Sequence, residues 1–128
     1  MIFLAMPGKS LKFPHNAPMD ERNNWALHNL NPYYSIAVEK IKSREAILND
    51  VGENIKIAPS PYSNNGMYDG IVEFTFDIEG NKGRGQCEIA YRHYGSKPHH
   101  WYKIKWNFNG ESKFLIGQNN YIFNPVEQ

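Results

Sequence analysis

The residue types best suited to chemistry are concentrated between Gly80 and Trp101, in the stretch GNKGRGQCEIAYRHYGSKPHHW. Three glycines precede the only cysteine of the chain, and three histidines follow it. Glycine-rich loops can bind phosphate when they lead into a helix, and imidazoles are common metal ligands. The stretch therefore raises two chemical hypotheses, a phosphate-binding loop and a metal site.

The glycines Gly80, Gly83 and Gly85 have the spacing G-x-x-G-x-G, which reverses the dinucleotide-binding fingerprint. They join two predicted strands, so no helix N-terminus supplies free N–H groups to a phosphate. A short polar connection rich in glycine is what a β-hairpin needs to reach positive φ. We predict a hairpin loop, with Gly85 at a bulge or at a close approach of neighbouring chain.

The histidines His93, His99 and His100 fall in one predicted loop and form the metal option of the chain. His99 and His100 are adjacent, so on a strand their side chains would point in opposite directions. No second cysteine and no well-placed carboxylate completes a ligand set. A solvated loop is therefore favoured over a metal site, and no cofactor is predicted.

Cys87 is the only candidate thiol nucleophile. It alternates with Ile89 and Tyr91, which places it on the dry face of a predicted strand. A thiol in that position behaves as a small hydrophobic side chain with a raised pKa. We predict a core residue.

The carboxylates Glu73, Asp77 and Glu79 are aligned on one face of a predicted strand. An exposed sheet face produces the same pattern, so it does not indicate acid–base catalysis. Lys103 and Lys105 could pair with such acids across neighbouring strands. Because nothing assembles a nucleophile, a base and oxyanion donors, no enzyme is predicted.

A period of two residues in the second half of the chain predicts the strands that carry these groups. A short strand at Ile55 and Ile57 precedes them, and KFLIG and NYIFN are candidates for a fourth long strand or a tail. The three long segments are GIVEFTFDIEG, GQCEIAYRH and WYKIKWNFNG. In the first and the last of them the inward residues are Val72, Phe74, Phe76 and Ile78, and Tyr102, Ile104, Trp106 and Phe108.

A helix is predicted between the first residues and the strands. Asn31 and Pro32 form a capping residue followed by proline at the first helical position. Helical spacing of apolar residues continues to Val51, and Gly52 stands where a left-handed cap would end the helix. Ser43 could cap a second short helix, so a break in the middle remains open.

Residues 1–30 are predicted to be an irregular N-terminal arm, with a short helical turn possible over 20–29. The apolar run before Pro7 is too short to cross a bilayer, so no membrane span is predicted. Residues 31–124 are predicted to form a single α+β domain, in which the helical segment packs on one face of an antiparallel β-meander.

The bulk composition limits the class of partner and compartment. The 128 residues carry a net charge of +1, which gives no reason to expect nucleic acid. A single cysteine fits a reducing compartment, so a soluble cytoplasmic protein is predicted, with the soluble part of a membrane-associated assembly as the alternative. The sequence leaves the oligomeric state open.

Three segments together resemble the soluble domain of the cytochrome oxidase assembly factor one family: NPYYSIAVEKIKSREAILNDVGENIKI, GIVEFTFDIEGNKGRGQCEI and HHWYKIKWNFNG. The resemblance covers about residues 32–110 and lacks the transmembrane helix that family members typically carry ahead of this domain. The matching positions are Tyr34, Ala37, Val51, Gly52, Gly80, Lys82, Gly83, Gly85 and Trp101.

The resemblance implies a helix-covered sheet like that of a mitochondrial inner-membrane translocase subunit. It also implies a non-enzymatic role, holding another protein during assembly of a respiratory complex. It implies no catalytic residues.

Two binding functions and one chemical function remain as hypotheses. The first is the assembly-factor role, using a sheet edge or the aromatic residues Tyr94, Trp101 and Tyr102 as exposed partner-binding anchors. The alternative is a small cytosolic immunity protein that binds and neutralises a bacterial toxin. The third is an enzyme or metal protein that uses the histidine loop.

Overall fold

The computed structural model describes residues 13–61, 65–95 and 98–117. Within these ranges three helices come first and six strands follow, which confirms the α+β class and the antiparallel sheet. The helices are α1 (Met19–Asn29), α2 (Tyr33–Lys42) and α3 (Glu45–Val51). The strands are β1 (Lys56–Pro59), β2 (Gly66–Tyr68), β3 (Ile71–Glu79), β4 (Arg84–Arg92), β5 (His100–Phe108) and β6 (Glu111–Ile116).

The strands pair in the order β1-β3-β4-β5-β6, and β2 also pairs with β3. β1 pairs with residues 76–79 of β3, and β2 pairs with residues 71–73. In the gap between these two pairings, the Thr75 N–H donates to the side-chain oxygen of Asn65 at 2.9 Å. The Thr75 carbonyl accepts from the Ser60 N–H at 2.8 Å. A side chain thus completes the ladder where β3 changes partner.

The two faces of the sheet differ in what covers them. One face packs against the helices, and we call the other the open face. The open face carries the polar residues that alternate with the core. The buried core consists of Ala26, Leu30, Tyr34, Ala37, Ile41, Ile47, Val51, Ile57, Val72, Phe74, Phe76, Ile78, Cys87, Ile89, Tyr91, Trp101, Ile104, Trp106 and Ile116.

Helix α1 lies within the predicted irregular arm, at the place where the sequence allowed a short helical turn, and over Met19–Asn29 the structure has a full helix instead of irregular chain. The helix packs beside β1, with Ala26 and Arg22 buried. The Arg22 guanidinium donates to the Pro59 carbonyl at 2.7 Å and pairs with Asp77 at 2.9 Å. Tertiary contacts stabilise a helix whose apolar periodicity is weak.

The helix predicted after Pro32 is divided at Ser43, but Ser43 does not cap the second helix, whose N-cap is Arg44. α2 ends at Lys42, and Ser43 donates through its hydroxyl to the Lys40 carbonyl at 2.8 Å. α3 follows and ends at Val51, where Gly52 has a φ of 86° and donates its N–H to the Leu48 carbonyl. The predicted glycine cap is therefore confirmed.

The end of the predicted domain is described only in part. KFLIG contributes to β6, whereas NYIFN and the rest of residues 118–124 lie outside the described residues. No helix in the described ranges is long and apolar enough to cross a membrane.

Candidate functional site

The glycine-rich loop joins β3 to β4 as a hairpin, which confirms the predicted geometry. The Gly80 N–H donates to the Gly83 carbonyl at 2.9 Å, and the strands continue in register to Glu79 opposite Arg84. The predicted positive φ is wrong, because none of these three glycines has one, whereas the predicted close approach at Gly85 is confirmed. The glycines are needed for close approach instead.

Strand β5 passes close to two of these glycines. A Cβ on Gly85 would lie 2.5 Å from the Asn107 carbonyl oxygen and 2.6 Å from the Trp106 indole ring. A Cβ on Gly83 would lie 3.1 Å from the Phe108 ring, which stacks on Trp106 with a centroid separation of 5.7 Å. Gly83 and Gly85 therefore leave the space that two aromatic rings of β5 fill.

The polar groups of the loop bind the C-terminal end of α3. The Lys82 N–H donates to the Val51 carbonyl at 2.8 Å, and the Asn81 N–H donates to the Glu53 carbonyl at 2.9 Å. The Lys82 ammonium donates to the Asn49 carbonyl at 3.1 Å. These groups satisfy carbonyls at a helix end, where positive charge is favourable. The loop stabilises the fold with the N–H groups that a phosphate would need.

Cys87 lies on the helix-covered face and is fully buried, as its alternation predicts. Burial raises the pKa of the thiol to about 12, and the neighbouring Glu88 carboxylate acts in the same direction. The thiolate is therefore strongly disfavoured at neutral pH.

Charged residues on the open face form pairs across the strands. Lys103 and Lys105 both approach Glu88, with Nζ–Oε distances of 3.5 Å and 3.8 Å, and Asn107 donates to the same carboxylate at 3.0 Å. Burial alone would raise the pKa of Glu88, but the Asn107 hydrogen bond and the two lysines outweigh it and lower that pKa. The lysines thus pair with an acid, but with Glu88 instead of Glu73 or Asp77.

The three histidines do not converge on one point. The His93 and His99 rings stack with centroids 4.9 Å apart, whereas the His100 ring contacts Tyr94 at 4.7 Å. Among residues 13–61, 65–95 and 98–117, no group of three or more His, Cys, Asp or Glu side chains could hold a metal ion. The predicted metal option of His93, His99 and His100 is not assembled there.

The stacked histidines form a separate cluster beside α2. Tyr33 packs edge-on against His93 at 4.9 Å, and Tyr91 packs against His99 at 5.4 Å. The Nδ1 atoms of His93 and His99 are buried and have no hydrogen-bond partner among the residues that the structure describes. Burial, together with the charge that His93 can carry, lowers the pKa of His99. The cluster therefore favours a neutral imidazole at His99.

The three predicted anchors differ in exposure. Tyr94 is 37% exposed, but Trp101 and Tyr102 are each only 6% exposed, so their predicted exposure is wrong. The Trp101 ring packs on Tyr91 at 4.6 Å and lies under the Lys40 ammonium at 4.8 Å. Trp101 is a core residue of the helix-covered face.

The sequence analysis missed the most exposed aromatic residue in the described ranges. Tyr68, at the end of β2, is 68% exposed. It precedes a tight turn in which Asp69 and Gly70 have φ values of 51° and 78°. The Asp-Gly pair is a hairpin signal, and it could have identified Tyr68 as a strand-end residue beside the turn.

Strand register brings Tyr68 to the same end of the sheet as Tyr94. Tyr68 is paired with Ile71, Ile71 with Arg92, and Arg92 with His100. Directly opposed residues share one face of a sheet, so these four form a row across the open face. Tyr94 and Tyr102 contact this row through His100 and Arg92. We call the six residues together the aromatic end surface: Tyr68, Ile71, Arg92, Tyr94, His100 and Tyr102.

Arg92 lies at the centre of this surface. Its Nε donates to the Tyr102 hydroxyl at 3.3 Å and its Nη1 donates to the Asp69 carbonyl at 3.1 Å. The Tyr94 hydroxyl lies 3.1 Å from His100 Nδ1, within hydrogen-bond distance. A register shift at Tyr91 makes Tyr102 an extra residue on β5. This irregularity accompanies the contact of Tyr102 with Arg92.

Comparison with protein-family models, with curated proteins and with solved structures finds no match to this chain.

Proposed function

We propose that this protein is a non-enzymatic protein-binding module that uses the aromatic end surface. The observation that carries the proposal is the placement of exposed Tyr68 and Tyr94 on either side of Arg92. Tyrosine and arginine dominate the energy of protein interfaces because they combine a large apolar area with hydrogen-bonding groups. Tyr68 is 68% exposed, so a partner can bury a large part of its side chain.

The remainder of the open face is less suited to an interface. Glu88 already pairs with Lys103 and Lys105, and Asp77 pairs with Arg22. Charges that are already paired lose solvation when a partner covers them and gain little in return. The edge of the sheet at β1 is packed against α1. The aromatic end surface is therefore the favoured position for a partner.

The resemblance of residues 32–110 to the oxidase assembly factor family supports a more specific proposal. In that role the module holds another protein during assembly of a respiratory complex. A toxin as the bound partner would instead identify an immunity protein. Both roles use a protein interface, so identification of the partner separates them.

Site-specific photo-crosslinking in the native cell tests the proposal. A photoreactive phenylalanine analogue replaces Tyr68 or Tyr94, and in a control variant it replaces Lys113. Lys113 is exposed on β6 and opposes Trp106, whose ring lies in the core, so it is outside the aromatic end surface. We expect a protein adduct at positions 68 and 94 that is absent at 113.

The identity of the adduct then distinguishes the roles. A subunit or precursor of a respiratory complex supports the assembly role, and a toxin supports the immunity role. Equal adducts at all three positions, or none at 68 and 94, would contradict binding at this surface.

A further inference from the structure

We infer that the aromatic end surface binds an acidic segment of its protein partner, with an Asp or Glu carboxylate on the Arg92 guanidinium. The inference rests on the proposed function and names the chemistry of the partner. Its physical basis is the contrast between Arg92 and three other cations that lie on or against the sheet, Arg22, Lys103 and Lys105.

Arg92 is held in place by hydrogen bonds to neutral groups, and the nearby Asp69 carboxylate stabilises its positive charge without an ion pair within 4.0 Å. Its two hydrogen bonds go to the Asp69 backbone carbonyl and the Tyr102 hydroxyl. By contrast, Arg22, Lys103 and Lys105 each have a carboxylate within 4.0 Å. Within the described part of the chain Arg92 forms no ion pair within 4.0 Å, so a carboxylate of a partner can still bind its guanidinium directly.

The geometry also suits a carboxylate. A guanidinium has more N–H donors than two acceptors can use, and its planar fork matches the two oxygens of a carboxylate. Because Tyr102 and Asp69 already orient Arg92, little side-chain entropy is lost when a carboxylate binds. The exposed rings of Tyr68 and Tyr94 can then cover the aliphatic and backbone parts of the partner segment.

The neighbouring charges favour a short acidic segment over nucleic acid. Glu73 is exposed in the next row of the open face, where it opposes Ala90. Glu88 lies on the same face of β4, four residues before Arg92. A nucleic acid needs a track of cations for successive phosphates, and these carboxylates would repel it. A single carboxylate needs only one cation, and these carboxylates repel it less than they repel a row of phosphates.

Fluorescence anisotropy with the full chain tests the inference. The probes are three labelled peptides of equal length and tyrosine content, with glutamate, glutamine or lysine at the remaining positions. A single-stranded oligothymidylate is the fourth probe. We expect the glutamate peptide to bind about tenfold or more tightly than the glutamine peptide, because hydrogen bonds between charged groups are stronger than those to a neutral amide.

Variants assign that preference to one residue. Arg92→Gln is expected to abolish the preference for glutamate, and Arg92→Lys to retain part of it, because lysine keeps the charge without the planar fork. Lys113→Gln removes an exposed positive charge on β6 and is the matched control, with the preference unchanged. Circular dichroism of each variant checks that it is folded.

The outcomes separate this inference from the proposed function. Adducts at positions 68 and 94 without a preference for glutamate would overturn only the acidic partner. The inference would also be overturned if the glutamate peptide did not bind, if its preference survived Arg92→Gln, or if oligothymidylate bound more tightly than the glutamate peptide. Failure of the crosslinking experiment would overturn the proposed function itself.

Discussion

Substitution of Gly85 by alanine tests whether the glycine-rich hairpin exists to accommodate aromatic rings. The added methyl group would lie 2.5 Å from the Asn107 carbonyl oxygen and 2.6 Å from the Trp106 ring. The Asn107 oxygen belongs to the backbone of β5, and Trp106 is only 1% exposed, so neither can move freely. Overpacking of this kind lowers the free energy of unfolding by about 1–3 kcal/mol, and we expect the upper end, about 3 kcal/mol.

Urea denaturation followed by tryptophan fluorescence measures this loss. With a denaturant slope of about 2 kcal/mol/M, a loss of about 3 kcal/mol lowers the midpoint by about 1.5 M. Gly83→Ala is the graded control, because its methyl group would lie 3.1 Å from the edge of the partly buried Phe108 ring. A small shift of that ring relieves the contact, so we expect a loss below about 1 kcal/mol.

The opposite sign would refute the reasoning. At a position that alanine can adopt without a clash, replacing glycine stabilises a protein by about 0.4–1 kcal/mol, because the unfolded chain loses freedom. If Gly85→Ala unfolds at the same or a higher urea concentration than the wild type, the close approach does not constrain this position. A loss in Gly83→Ala equal to that in Gly85→Ala would also contradict the graded contacts.

Three further predictions concern buried polar groups. Asp50→Ala removes the acceptor of the Trp106 Nε1 hydrogen bond of 2.7 Å. The free energy of unfolding should fall by about 1–3 kcal/mol in urea denaturation, with a smaller loss in Asp50→Asn, which keeps an acceptor. Cys87, with its pKa raised to about 12, should react with a thiol reagent at pH 8 only as fast as the protein unfolds; rapid labelling in the absence of denaturant would contradict its burial. The pKa of His99 is lowered in the folded state by burial and by His93, so the unfolded state binds more protons and stability is lost as pH falls below the ordinary histidine pKa of about 6.5. Unfolding midpoints from pH 8 to 5 should fall less in His99→Phe than in the wild type, and identical slopes would contradict this origin.

The strands and their dry faces could be predicted because alternation is a local property. Successive side chains of a strand point to opposite faces, so the dry face of Val72, Phe74 and Phe76 follows from the sequence itself. The same reasoning predicts the burial of Cys87 correctly. A hairpin at the glycine-rich loop follows from its composition and short length.

The alternation is not a sufficient guide where the strand is irregular. It groups Tyr102 with Ile104 and Trp106 as inward residues. The register shift at Tyr91 interrupts the pairing, and the Tyr102 hydroxyl lies beside Arg92. A bulge depends on which residues oppose each other on two strands, and one strand alone does not reveal it.

The sequence indicated only a possible helical turn where the full helix α1 lies, for a related reason. Its buried residues include Arg22, a residue type that usually indicates a solvent-exposed position. Arg22 is buried because Pro59 and Asp77 accept its hydrogen bonds, and Asp77 is distant in sequence. Only the folded arrangement provides these partners.

The sequence by itself determined the class of fold, the hairpin and the inward position of Cys87, because these depend on neighbours along one chain segment. It also provided the aromatic and charged residues of the candidate surface. The tertiary structure decided which of them remain exposed. It buried Trp101 under Lys40, aligned Tyr68 with Arg92 across β3, and left Arg92 with neutral hydrogen-bond partners. Exposure and charge pairing depend on contacts between distant segments, which are established only when the strands adopt their register.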